Sequence, residues 1–328
     1  MKCLYVKWEA MVLGAVLAGS ALCQQSWASE GEIFGGPVGG TDIKAAYLPP
    51  TGWYAALITG YASVSRYYGD NGRVDPNTKI SATANVNAAA LEYVYPFQVF
   101  GGSVASSAVV PYIGGGSITL DGINQQFAGM GDLYSDLIVW SKYLGPIGID
   151  TANNKASPAA PYGLTVKLAY SMIFPTGVYS PTQFVDPGHN TIIYIPNFAV
   201  SYLTAPNFLG DGLEISAHAF FDISGKNDAT NYSTGTVWDV DYAVSEKIGR
   251  WQVGLAGYYA QQWESDIQNG QMVIPNGKKL ETAALGPVVA YAIPELKAGV
   301  KLKVQFPVIE RNAINSTNVW LSWSQALQ

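Results

Sequence analysis

Few residues in this chain could do chemistry, and their spacing decides among the options. There are two histidines, His189 and His218, and two cysteines, Cys3 and Cys23. Nucleophilic catalysis needs a base within hydrogen-bond reach of a hydroxyl. His189-Asn190-Thr191 and His218-Ala219-Phe220 place no serine two residues on. His189 follows Pro187-Gly188 and reads as a solvated loop histidine. His218 falls in phase with Glu214 and Asp222 and reads as one member of a satisfied polar network. No His or Cys cluster has metal-ligand spacing. Gly114-Gly115-Gly116-Ser117 lacks the lysine and helix that make a phosphate loop. The expectation is no catalytic residue, no metal and no cofactor.

What the chain offers instead is charge at every second position. Leu164, Val166, Leu168, Tyr170, Met172 and Phe174 alternate with Gly163, Thr165, Lys167, Ala169 and Ser171. Leu296, Ala298, Val300, Leu302, Val304 and Phe306 alternate with Lys297, Gly299, Lys301, Lys303 and Gln305. Leu213, Ile215, Ala217, Ala219 and Phe221 stand against Glu214, Ser216, His218 and Asp222. Thr236, Trp238, Val240, Tyr242 and Val244 stand against Asp239 and Asp241. A strand sends such sets to opposite faces. Lysines at every other position cannot face hydrocarbon, so one face meets water and the other meets an apolar medium. The candidate lumen set is therefore Glu92, Lys167, Glu214, His218, Asp222, Asp239, Asp241, Lys301 and Lys303.

The elements that carry these residues are long. A soluble β-sandwich also alternates, but its strands run to about five or six residues, and these segments reach about ten. About a dozen are predicted, at 53–66, 82–95, 102–113, 131–143, 162–174, 191–203, 212–222, 235–244, 251–263, 280–292, 296–306 and 316–326. Short connections (96–101, 204–211, 245–250, 293–295) alternate with long ones (67–81, 114–130, 175–190, 264–279). The stretch 144–161 is long where a short turn belongs, as though a strand pair had been merged or missed. Aromatic residues gather toward segment ends, among them Trp53, Tyr54, Tyr67, Tyr68, Tyr93, Tyr95, Trp140, Tyr143, Trp251, Tyr258, Tyr259, Trp263, Trp320 and Trp323, as in an interfacial girdle.

Composition agrees. Charged residues make up 13% of the 328, Gly numbers 35, Tyr 21, and the net charge is −6. This is a strand-forming rather than a helix-forming mixture, and the acidic balance argues against nucleic acid. Lys2 and Lys7, the apolar run 11–22 and Ser26-Trp27-Ala28 form a secretory leader cut before Ser29. Both cysteines lie inside it, and the large Leu22 before Cys23 argues against lipidation. No later run is long enough for a transmembrane helix, and a membrane chain without one must close into a barrel. The expected plan is a signal peptide over 1–28, a Gly/Pro-rich N-terminal segment over 29–51, and a single antiparallel transmembrane β-barrel of about 12 strands over 52–328. The N-terminal segment is expected either to tuck into the lumen or lie at its mouth, as a plug or gate, or to be a disordered lead-in. Its glycines permit sharp turns and Pro49-Pro50 stiffens its exit.

Several landmarks resemble a known family, the meta-pathway phenol-degradation outer-membrane proteins, also called SphA-like transporters. The opening carries Gly35, Gly36, Gly39, Gly40 and Asp42, then Pro49, Pro50 and Gly52 ahead of Trp53-Tyr54. Tyr67-Tyr68-Gly69-Asp70-Asn71-Gly72 and Gly131-Asp132-Leu133-Tyr134 follow, and Pro175, Thr176 and Gly177 form a loop motif after Phe174. Gly257-Tyr258-Tyr259-Ala260-Gln261-Gln262 and Ala284-Leu285-Gly286-Pro287 complete the series, which spans the mature chain. The C-terminus departs from it, ending in Ala326-Leu327-Gln328 with Trp323 as the last aromatic. The resemblance implies a Gram-negative outer-membrane channel or transporter for small hydrophobic or aromatic compounds. Its partners would be outer-membrane lipid, the solute and the barrel assembly machinery. A structural barrel without transport and an outer-membrane lipid-modifying enzyme are the alternatives.

Overall fold

The computed structural model describes residues 38–149, 162–273 and 279–327. The leader expected at 1–28, together with Gly35 and Gly36, lies outside them. In chain order the strands are β1 Gly52–Tyr68, β2 Ile80–Val99, β3 Gly102–Leu120, β4 Ile123–Met130, β5 Leu133–Gly145, β6 Gly163–Phe174, β7 Ile193–Leu203 and β8 Gly212–Ser224. They continue as β9 Tyr232–Ser233, β10 Val237–Ile248, β11 Trp251–Gln262, β12 Ile267–Gln268, β13 Gln271–Met272, β14 Glu281–Ile293, β15 Ala298–Arg311 and β16 Ala313–Ala326. A 3₁₀ turn, Pro294–Leu296, joins β14 to β15.

Each long strand pairs antiparallel with its neighbours, and β1 pairs with both β2 and β16. The sheet therefore closes into a 12-stranded barrel. One stave is built from two segments. β4 pairs with the upper half of β3 and β5 with the lower half. The short strands β9, β12 and β13 form a small separate sheet in the loops at one end.

Two expectations about length need correction. The stretch 114–130, predicted as a loop, continues β3 to Leu120 and returns as β4 through a tight turn at Asp121-Gly122, both with positive φ. Its small residues hid the period-2 signal, because Gly and Ser mark neither face. The strand pair suspected within 144–161 is not needed by the wall, since β5 and β6 are hydrogen-bonded neighbours.

The alternation sorts the side chains as a membrane barrel requires. On β8, Ile215, Phe221 and Ile223 are exposed while Glu214, Ser216, His218 and Asp222 are buried. On β15, Leu302 and Phe306 are exposed while Lys303 and Gln305 are buried. Trp53 meets Tyr93, which meets Tyr95, in ring contacts near the short-turn end of β1 and β2, and Trp251 meets Tyr291 across β11 and β14. Not every terminal aromatic belongs to this girdle. Tyr67 and Tyr258 are buried, Tyr54 packs inward beside Val94 and Ala105, and Trp320 lies over Gly60. The apolar band is interrupted on β1 and β2, where Thr59, Asn87 and Asn85 form an outward ladder of side-chain hydrogen bonds.

The facing predicts an asymmetry between substitutions on the two faces of β15. Val304→Arg would set a guanidinium in lipid, where it costs about 2–4 kcal/mol near the midplane. Lys301→Gln, on the inner face, should leave barrel assembly nearly normal. Heat-modifiable gel mobility after outer-membrane extraction reads both, and equal tolerance would contradict the assigned faces.

Candidate functional site

The phase of the strands decides what fills the barrel. On β8 the buried set is Glu214, Ser216, His218, Phe220 and Asp222, and on β10 it is Val237, Asp239, Asp241, Ala243 and Ser245. These groups need partners, because a buried polar group without a hydrogen bond costs free energy. Much of what they meet is the backbone of residues 38–51.

That segment is tied down residue by residue. Gly39 N–H donates to Asp241 Oδ1 at 2.5 Å, and Thr41 N–H and hydroxyl donate to Oδ2 at 2.8 and 2.7 Å. Asp42 accepts from Lys301 Nζ at 2.6 Å and Lys303 Nζ at 2.8 Å. Lys303 also donates to the Gly39 carbonyl. Lys44 N–H donates to Glu214 at 2.5 Å. Ala46 N–H donates to Ser201 at 3.0 Å, and Ser141 donates back to the Ala46 carbonyl at 2.6 Å. Apolar side chains follow the same track. Ile43 packs on Ala243, Ala256 and Val288, Ala45 and Ala46 on Ala199, and Leu48 on Val94, Ala105 and Val139. These partners come from β2, β3, β5, β7, β8, β10, β11, β14 and β15, so the segment crosses the lumen from wall to wall.

Its sequence suits that path. Gly39 has φ +68, and a Cβ there would crowd the Tyr258 ring and the Gln305 amide, so a side chain would be both strained and blocked. Gly40 is an exposed turn residue. Pro49-Pro50 lead into Gly52 at the start of β1, and the Pro50 carbonyl accepts from the Tyr54 hydroxyl at 2.7 Å. Burial opposes ionisation of Asp42, but the two lysines beside it prevail and hold its carboxyl below the usual aspartate value.

A second polar cluster lies on the facing wall. Asn197 donates to Ser171, Ser171 donates to Asp136, and Asp136 also accepts from Ser107 and Tyr134, at 2.5 to 2.8 Å. His218 Nε2 lies 2.9 Å from Asn197 Oδ1, and its ring centroid is 3.8 Å from that of Phe220. The Asn197 oxygen can only accept, so Nε2 carries the proton. The expected carboxylate partners, Glu214 and Asp222, flank His218 along β8, but its hydrogen bond goes to Asn197. Lys167 has Asp136 and Glu92 as its charge neighbours. Asp239 is fully buried, with Asp222 and Asp241 as the nearest charges.

Toward the long-loop end the inner surface turns apolar. Ile173, Ile193, Ile195 and Phe220 pack with Tyr134 on one side, and Val64, Tyr67, Ile80, Ile118 and Leu120 on the other.

The loop motif has a defined place. Asp132, between β4 and β5, accepts from Gly177 N–H at 2.8 Å, His189 N–H at 2.7 Å and His189 Nδ1 at 3.0 Å. Thr176 Oγ1 accepts from Leu133 N–H at 3.0 Å, just after Pro175. His189 is therefore not simply solvated, because it straps the loop 175–190 across the junction of the two-part stave. Burial disfavours the Asp132 charge, but His189 and the amide donors outweigh it and hold the pKa below its usual value. Hydrogen bonds to a charged group are worth about 1.5–3 kcal/mol each. Asp132→Ala should accordingly loosen the loop while leaving the barrel closed. Limited proteolysis should then cut within 175–190 in the variant and spare the wild type, and identical digestion patterns would contradict the strap.

The sequence reading overlooked several lumen residues. Lys247 continues the phase of Asp239 and Asp241, a signal lost by ending that strand at Val244. Asp136 precedes a register shift between Asp136 and Ile138, which breaks the period that would have exposed it. Lys44 sits in a segment with no period at all.

The comparisons with known proteins agree with the fold. The family described as "Putative MetA-pathway of phenol degradation" matches residues 64–323. No curated protein matches the chain. Among solved structures, the chain is similar to the COG4313 outer membrane channel from Pseudomonas putida F1, with TM-score 0.70 and 12% identity over 87% of this chain and 98% of that one. It is more distantly similar to the β domain of the Bordetella autotransporter BrkA, with TM-score 0.46 and 10% identity over 84% of this chain and 99% of that one.

Proposed function

We propose that this chain, which belongs to the MetA-pathway phenol-degradation family, is an outer-membrane channel for small hydrophobic or aromatic compounds, gated by residues 38–51. The observation that carries the reading is the threaded segment. A permanent plug could be built from apolar packing alone. This one packs apolar side chains but is also held by hydrogen bonds and two ion pairs to inward-facing strand residues, contacts that water can replace when the segment leaves. The inner side near the long loops is packed with apolar side chains, a lining compatible with a hydrophobic solute. The matched outer membrane channel supports the same role. The protein would reside in outer-membrane lipid after insertion by the barrel assembly machinery. The reading assigns no catalytic step.

Cells lacking this protein should take up dilute phenolic or other aromatic compounds more slowly, measured as initial rates with radiolabelled solute. Unchanged rates across a panel of aromatic and long-chain compounds would contradict transport. Release of fatty acid from liposomes containing the purified protein would favour the enzyme instead.

A further inference from the structure

The mouth of the barrel at the short-turn end holds a cavity of about 540 Å³ beside the N-terminal segment. Its walls differ in chemistry. Ile43, Tyr54, Ala56 and Ile58 give one side an apolar surface, and Lys44, Lys247 and Lys301 stand on the same lining, with Arg250 and Lys297 at its rim. Among the described residues no Asp or Glu lines it, although the chain as a whole is acidic, with 24 carboxylate residues against 18 cations.

The cations are not equally committed. Arg250 is paired with Glu295 at 2.6 Å. Lys301 shares Asp42 with Lys303. Lys44 and Lys247 have no ion pair among the described residues. Glu214 is the carboxylate whose charge bears on Lys44, and it is already engaged by Lys44 N–H, Ser216 and Gln252. Burial lowers the pKa of the Lys44 ammonium, Glu214 partly offsets this, and Lys247 and Lys301 lower it further. An anion arriving among the three lysines would relieve that repulsion.

We infer that this cavity is a binding site for a small organic anion, a carboxylate on a single aromatic ring, with the carboxylate among Lys44, Lys247 and Lys301 and the ring against Ile43, Tyr54 and Ile58. The volume lies within the range of small-molecule sites, about 300–1,000 Å³. The inference deepens the channel reading by naming a substrate class, and it rests on that reading only for the direction of travel. Lys44 belongs to the gating segment, so an anion bound there would also contact the element that must move.

Calorimetric titration of the full-length protein in detergent tests it, with benzoate, benzyl alcohol and benzylammonium as probes. Benzoate should bind about tenfold or more tightly than benzyl alcohol, a difference of one decade in Kd, and benzylammonium should not bind. The double variant K44Q/K247Q, checked for heat-modifiable mobility, should lose that preference, and Lys247→Gln alone should lose part of it. Equal affinity for benzoate and benzyl alcohol, or a preference that survives in the double variant, would overturn the site. Benzoate binding without flux through liposomes would leave the site standing and remove the channel. Flux of neutral aromatics without benzoate preference would do the reverse.

Discussion

Deletion of residues 31–47 should convert the barrel from a nearly silent pore into a conducting one. The described part of the deleted stretch, residues 38–47, contributes no strand to the wall, so the ladder hydrogen bonds that close the barrel survive. What is lost is the chain crossing the lumen and the ligation of Asp241, Glu214, Ser201 and Lys303. Water would take over those contacts, as the lumen opens to the short-turn end. Planar-bilayer recordings should show a large rise in unitary current, with gel mobility still that of a folded barrel. Unchanged conductance in a folded deletion variant would remove the gating role.

The second large effect comes from Asp42. It is buried between two lysines, and Lys303 is buried with it. Asp42→Ala leaves Lys303 without its ion-paired carboxylate, with Asp241 as the carboxylate still beside it. Removing one partner of a buried pair costs about 3–5 kcal/mol, and the cheapest relief is for the segment to leave the lumen. The variant should resemble the deletion in conductance while keeping its full length. The same anchor gives a pH dependence of known sign. The folded-state pKa of Asp42 lies below its ordinary value, so the stabilisation is complete above the ordinary aspartate pKa of about 3.9 and is lost as the pH falls through the depressed value. The Asp42 contribution to closure should therefore persist through mildly acidic pH and be lost only in stronger acid. Asp42→Asn removes this proton-linked term, and an acid response of equal size in that variant would assign it to other groups.

Much of the barrel was legible because period-2 patterning is a direct image of a wall with lipid on one side and water on the other. β8, β10 and β15 show it best, with Glu214, Asp239, Asp241 and Lys303 inward and Ile215, Val244 and Leu302 outward. Where the pattern is carried by Gly and Ser, as in the upper part of β3, the strand could not be told from a loop. Aromatic residues misled in another way. A tyrosine near a strand end suits the membrane interface or the lumen equally, and Tyr67 and Tyr258 took the lumen. The site was less legible than the wall. The charges of β8, β10 and β15 could be placed on one face, but their partners could not, because they belong to a segment whose path is set by backbone donors at Gly39, Thr41, Lys44 and Ala46. Those donors are invisible in residue type. The His189–Asp132 contact spans 57 positions, and neither residue's local sequence points to the other.

The central claim is that solute passes through the lumen by displacing residues 38–51. A reversible tether tests it most directly. Ala46 and Ala199 belong to one buried cluster with Ala45, so an Ala46→Cys, Ala199→Cys pair that oxidises to a disulfide would tether the segment to the wall and release it on reduction in the same membrane. The account predicts low conductance and slow aromatic-solute flux in the oxidised protein, with both restored on reduction. Equal flux in the two states, with the disulfide verified by mass spectrometry, would contradict it.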